Sequence, residues 1–263
     1  MKKFLEVFRV SMSQYLAFRL SFVLWRVRMI FSLLLIYYLW TAVYLGQRSL
    51  FGYTPQEMMT YVLFIYFLGD LVYSTRTSDL ANYIRSGEII NYMLKPFSVL
   101  KYMLTKEIAD KLINLTFAIM EIILIVFIAK PQLYLQTNFS VYPWFLLAMS
   151  LGLVSAYFMY FCLSLIAFWT AEIWAPRFIF FVMITTLSGS YFPLDILPTL
   201  FYRILMLTPF PYYIYLPAQI YLKGVNGFTF VQLAISALWV FIMFIVSRFL
   251  WRKGIKEFSF FGR

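Results

Sequence analysis

The sequence predicts an all-α integral membrane protein, on three observations. Hydrophobic residues fill 63% of its 263 positions and charged residues only 13%, whereas soluble domains carry charge at about a quarter of positions. Apolar runs of bilayer length recur along the chain, separated by short polar intervals. Lysine and arginine outnumber acids by 11 and gather at the ends of those runs, which is how cytoplasmic membrane edges look, so no nucleic-acid partner is expected. At about 20 residues per span, the length accommodates six spans, modest loops and no second globular domain.

Composition also removes several chemistries. The chain has no histidine, which excludes His-ligated zinc and Ser-His-Asp triads. Its one cysteine, Cys162, has no internal disulfide partner. The first apolar run is too long for a removable signal and lacks a small-x-small cleavage site.

Residues 1–26 read as an interfacial amphipathic helix and the lead into the bilayer. Phe4, Leu5, Phe8, Met12, Tyr15 and Leu16 share one helical face, with Lys2, Lys3, Glu6, Arg9 and Ser13 opposite. A bend then leads into the first span, 27–47, past Arg19, Arg26 and Arg28. Thr54-Pro55-Gln56-Glu57 is a capping box with proline at the first helical position, and it starts the second span, 58–74.

The interval 75–106 is the longest charge-bearing stretch between apolar regions. Within it, residues 80–97 carry the apolar spacing of a short helix on a surface, capped by Ser78 or Asp79 and stopped by Gly87. The third span, 110–129, holds Glu121 near its middle and ends at Lys130-Pro131. The fourth, 144–168, leads through a short turn carrying Glu172 to Pro176 and Arg177, where the fifth, 177–189, begins. Glu172 and Arg177 read either as solvated ends of that turn or as a small contact for a partner.

Residues 189–224 are apolar but hold Pro193, Pro198, Pro209, Pro211 and Pro217, half the prolines of the chain. Each interior proline removes a hydrogen bond and collides with the preceding turn. The expectation is therefore a re-entrant outer hairpin of two half-helices, followed by the sixth span, 229–250. This topology places 18 basic residues inside and four outside, which puts both termini in the cytoplasm.

Two motifs carry a family resemblance. Ile84-Arg85-Ser86-Gly87-Glu88-Ile89 followed by Leu94-Lys95-Pro96 resembles the cytoplasmic signature of the ABC type-2 exporter permeases. Ser188-Gly189-Ser190-Tyr191-Phe192-Pro193-Leu194, with Leu197-Pro198 and Thr208-Pro209, is similar to their outer Ser-Gly-x-x-Phe-Pro signature. The resemblance extends over essentially the whole chain and is closest to compact permeases without their own ATPase domain.

It implies a permease subunit of an ATP-driven exporter in a bacterial or archaeal cell membrane, working with two ATPase subunits and a second permease, identical or similar, among membrane lipids. The chain has no G-x-x-x-x-G-K-[ST] loop, so ATP and Mg belong to the partner ATPase, and this chain is no enzyme and binds no cofactor. Docking falls to Tyr83, Ile84, Arg85, Gly87, Glu88 and Ile89, with Tyr83, Ile84 and Ile89 as anchors. The same residues also suit a loop resting on headgroups.

The resemblance places Tyr61, Phe64, Phe67, Phe181 and Thr185 near a translocation path, although with 58 aromatics ordinary packing suits any one of them. Glu121 reads either as a polar point of that path or as an interhelical hydrogen-bond acceptor, and Asp70 as a partner of Arg26, Arg28 or Arg76. Gly189, Phe192, Pro193, Pro198 and Pro209 would form the outer gate. The expected substrate is amphipathic: a drug, lipid, peptide or lipid-linked glycan. Two other classes stand behind this one, an ion-coupled secondary carrier using Glu121 and a membrane-embedded enzyme. The first lacks a matching broken segment in the other half of the chain, and the second lacks clustered acids.

Overall fold

The computed structural model describes residues 6, 8–10, 13, 19–94 and 98–258. Most of the interfacial face expected over residues 1–26 (Phe4, Leu5, Met12, Tyr15 and Leu16) and the Lys95-Pro96 pair of the first signature lie outside the described residues.

Helix α1, Arg19–Val43, extends eight residues ahead of the expected first span as one continuous helix, so Arg26 and Arg28 sit within it. Helix α2, Pro55–Tyr73, opens with the expected capping box: Glu57 N–H donates to Thr54 Oγ1 at 3.3 Å, and Thr54 N–H donates to the Glu57 carboxylate at 2.7 Å. Helices α3, Thr77–Arg85, and α4, Ile89–Met93, follow at once. Between them Gly87 adopts φ +77°, a conformation a Cβ resists.

The start of α3 departs from expectation. It begins at Thr77 with Arg76 at the cap position, and no side chain caps it. Asp79 lies inside its first turn, where its carboxylate takes an ion pair instead.

Helix α5, Val99–Ala129, is 31 residues long, or about 46 Å, well beyond the roughly 30 Å of a hydrocarbon core. The expected third span, 110–129, is only its C-terminal two thirds. Lys130 ends it in a left-handed conformation, φ 44°, with its N–H on the Val126 carbonyl, and Pro131 prevents continuation. Helix α6, Val141–Leu165, ends in the 3₁₀ turn Ile166–Phe168. Helix α7, Trp174–Leu187, has 14 residues, about 21 Å.

The proline-rich stretch contains two short helices, α8, Thr199–Leu205, and α9, Tyr215–Lys223. The chain returns to the end of α7, where Tyr215 N–H donates to the Ser188 carbonyl at 3.1 Å. Helix α10, Gly227–Glu257, is started by Asn226, whose side chain accepts from Thr229 N–H. Among the described residues, five helical segments are long and apolar enough to cross a membrane, and α7 is a shorter apolar helix.

Helix α2 is the most enclosed of the long helices and α1 the least. The main core gathers α2, α6 and the hairpin around Tyr61, Leu68, Ala148 and Tyr213. Gly152 of α6 lies against the hairpin backbone, where a Cβ would sit 2.5 Å from the Tyr212 carbonyl oxygen. A second core fastens α3 and α4 to the first turns of α5 and the last turns of α6 and α10, through Leu80, Ile84, Ile89, Met103, Phe161 and Leu165, with Trp251 packed on it. Arg85, Lys101, Lys106, Arg252, Lys253 and Lys256 lie on these same segments of α3, α5 and α10.

Candidate functional site

The polar residues of α5 that are buried, Lys106, Glu107, Asp110, Asn114 and Glu121, recur at three, four and seven positions, so they line one helical face. Between them they reach α1, α2, α3 and the segment joining α2 to α3, which makes α5 the element on which the polar contacts converge.

At its first rung, Lys106 Nζ donates to Asp79 of α3 at 2.6 Å and to the Tyr83 hydroxyl at 3.3 Å. Tyr83 stacks on Tyr92, ring centroids 4.7 Å apart, and Tyr92 lies 5.1 Å from Tyr102 of α5. One residue on, the Glu107 carboxylate accepts from Arg76 N–H at 2.9 Å and Thr75 Oγ1 at 3.0 Å, and pairs with Lys111 at 2.9 Å. Asp110 pairs with Arg76 Nε at 2.8 Å and accepts from Asn114 Nδ2 at 3.1 Å. The segment between α2 and α3 is thereby held to α5 at two successive turns.

Deeper in the bundle, Arg26 of α1 donates through Nη1 to Asp70 of α2 at 2.9 Å and to Glu121 at 3.3 Å, and through Nη2 to Asn114 Oδ1. Tyr66 of α2 donates to the same Glu121 carboxylate. The guanidinium lies beside the Phe22 and Phe117 rings, which meet edge to face, at 5.3 and 5.4 Å from their centroids. Arg26 is 5% exposed, Asp70 1% and Glu121 8%.

Of the readings open for Asp70 and Glu121, the structure realises the interhelical ones. The convergence on Arg26 was not legible beforehand, because no local pattern links positions 26, 70, 114 and 121.

The signature residues near Gly87 divide by face. Asn82, Arg85, Ser86 and Glu88 are exposed and Tyr83 is partly so, whereas Ile84 and Ile89 are enclosed in the second core. The expectation that Ile84 and Ile89 offer anchors to a partner is therefore corrected: they seat the element on its own chain. Arg177 is likewise no solvated end. It donates to Ser164 Oγ at 3.1 Å and Thr77 Oγ1 at 3.4 Å, joining α7 to the ends of α6 and α3. Glu172 is exposed and accepts from Trp174 N–H at 3.0 Å at the start of α7.

The expected path residues are distributed rather than gathered. Phe64 packs against Phe145 and Tyr221, Phe67 lies on the main core, and Phe181 meets the edge of Tyr73. Thr185 Oγ1 bonds back to the Phe181 carbonyl at 2.9 Å. Tyr61 joins the gate set instead: its hydroxyl donates to the Gly189 carbonyl at 2.7 Å and reaches the Phe192 carbonyl at 3.5 Å. Pro193 leads into the 3₁₀ turn Leu194–Ile196, Pro198 precedes α8, and Pro209 precedes the 3₁₀ turn Phe210–Tyr212.

A polar cluster that sequence reasoning missed ties this hairpin to the loop before α2. Tyr53 OH donates to Asp195 at 2.8 Å, Lys223 Nζ pairs with Asp195 at 2.7 Å and lies 4.1 Å from the Tyr53 ring centroid, and Gln219 Nε2 bonds Tyr53 OH. Burial, and then the Asp195 charge beside it, push the Tyr53 hydroxyl well up, so it serves as a donor. The signal available was a single acid, Asp195, with two bases, Arg203 and Lys223, inside an otherwise apolar interval.

The fold and these clusters define a multi-pass helical membrane protein whose polar groups join helices. Among the described residues no group of three or more His, Cys, Asp or Glu could hold a metal ion. The family model of the ABC-2 family transporter proteins matches residues 29–262, and the chain belongs to that family. It is thus an ABC transporter permease, a transporter membrane component of a kind that normally works with an ATPase subunit. No curated protein matches the chain.

Proposed function

We propose that this chain is the permease subunit of an ATP-driven exporter, with six spans, both termini in the cytoplasm, and α3-Gly87-α4 as the coupling element that docks on the ATPase. The carrying observation is the position of that element. Its apolar side is seated in the second core, its exposed side presents Asn82, Arg85, Ser86 and Glu88, and Asp79 and Tyr83 join it to α5 through Lys106.

A push on the exposed side reaches α5 through a buried ion pair and ring contacts rather than through a loose loop. Two such permeases, identical or similar, above two ATPase subunits would rock as rigid bodies and pass an amphipathic substrate outward, with the α8–α9 hairpin as outer gate. Helix α7 with the hairpin counts as the fifth span and its re-entrant partner. The engagement of Glu121 by Arg26 and Tyr66 speaks against the secondary-carrier reading, which needs that carboxylate for an ion.

The test is co-purification of the ATPase with the tagged chain. Reversing both exposed charges, Arg85→Glu with Glu88→Lys, is expected to abolish co-purification while the permease remains monodisperse, because neither side chain belongs to a core. Retention of the ATPase at the wild-type ratio would sink the docking assignment.

Gly87→Ala gives a finer result. The added Cβ meets no atom within 4 Å, so the cost is that of the left-handed backbone alone, about 1 kcal/mol. The expected outcome is a small drop in thermal stability with weakened ATPase binding, read by titrating the partner.

A further inference from the structure

Arg28 is not accounted for by the polar ladder. It lies two residues beyond Arg26 on α1, about 200° around the helix, and its side chain is exposed. Leu24, Phe31 and Leu35, spaced to share its face, are exposed by 59%, 63% and 71%. Among the described residues no carboxylate forms an ion pair with it. Its one described side-chain partner is the Trp25 ring, with the guanidinium carbon 4.0 Å from the ring centroid.

Trp25 stands one turn nearer the helix N-terminus, so the arginine side chain reaches back along α1 toward that end. Fifteen residues separate Arg28 from Val43, the last residue of the helix, or about 22 Å of rise. With Val43 at one edge of a hydrocarbon core about 30 Å thick, the Arg28 backbone lies about 8 Å short of the other edge. An arginine bent toward that edge delivers its charge to headgroup level, and the indole beneath it is the residue type that favours this depth. A guanidinium stays charged there and presents a fork that fits phosphate oxygens.

We infer that the Trp25–Arg28 pair on the lipid-facing stripe of α1 is a binding site for the phosphate of an anionic lipid headgroup. This does not rest on the ATPase-coupled reading, and the proposed orientation decides only which leaflet supplies the lipid: the cytoplasmic one.

The test titrates phosphatidylglycerol, with phosphatidylcholine as control, into the detergent-purified full chain, and counts retained lipid by native mass spectrometry. Arg28→Gln is expected to lower apparent phosphatidylglycerol affinity about fivefold, the worth of one basic residue at an anionic surface, and to leave phosphatidylcholine adducts unchanged. Trp25→Leu, which keeps an apolar side chain, is expected to lose part of the same affinity.

Both positions are exposed, so the thermal transition of each variant should match wild type, and this measurement guards against a folding artefact. Equal phosphatidylglycerol retention by wild type and Arg28→Gln overturns the site. So does a result in which Arg28→Gln keeps its lipid but separates two copies of the chain on sizing, since the charge would then be met by a protein carboxylate.

Discussion

Replacing Arg26 with methionine is expected to destabilise the folded chain by about 3 to 5 kcal/mol, the cost of leaving buried charge without its partner. The substitution preserves length and apolar contact with Phe22 and Phe117, so packing loss is small. It strips the cation from Asp70 and Glu121, both of which are almost fully enclosed. It also frees α1, whose burial against the bundle is the slightest of the long helices.

The check is denaturant unfolding in detergent, together with a second variant that carries Arg26→Met, Asp70→Asn and Glu121→Gln. If the penalty comes from uncompensated charge, the triple substitution regains most of the lost stability, because neutral amides can share bonds with Tyr66 and Asn114. Equal losses in the single and triple variants would mean that the arginine acts through its shape alone.

Gly152→Val is expected to be the most damaging change outside that cluster. A Cβ at this position would stand 2.5 Å from the Tyr212 carbonyl oxygen and 3.2 Å from Tyr213 Cα. Both are backbone atoms, so no side chain can rotate away and the hairpin as a whole must move. Overpacking of this kind costs about 1 to 3 kcal/mol, occasionally more.

The damage is local to the hairpin, however, and the coupling element lies in the other core. The expected pattern is loss of substrate transport and lower thermal stability, with ATPase co-purification retained. Wild-type transport by a well-folded Gly152→Val chain would refute the close approach of α6 and the hairpin.

What could be read from the sequence was what is encoded locally. The capping box at Thr54, the left-handed stop at Gly87, the end of α5 at Lys130-Pro131 and the broken hairpin each depend on a few adjacent residues, and each is present. Amphipathic spacing at residues 80–97 revealed an apolar face. It could not say whether that face meets a partner or the chain's own core, since both bury the same atoms, and Ile84 and Ile89 went to the core.

Arginine marks a membrane edge by composition, and of the three arginines offered to Asp70 the fold selects Arg26, which it encloses with a second carboxylate, Glu121, far along the chain. Tyr53, Asp195 and Lys223 were overlooked because their association spans well over a hundred residues.

The unbroken length of α5 has a mechanical consequence. Lys106, gripped by α3, and Glu121, gripped by Arg26 and Tyr66, lie fifteen residues apart on one continuous helix, about 22 Å along its axis. As a lever pivoting at Lys106, that arm converts a tilt of about 5° into a sideways travel of about 2 Å at Glu121. Hydrogen bonds tolerate only a few tenths of an ångström about their preferred length, so a swing of that size either drags α1 and α2 along with it or tears Arg26 from its acceptors.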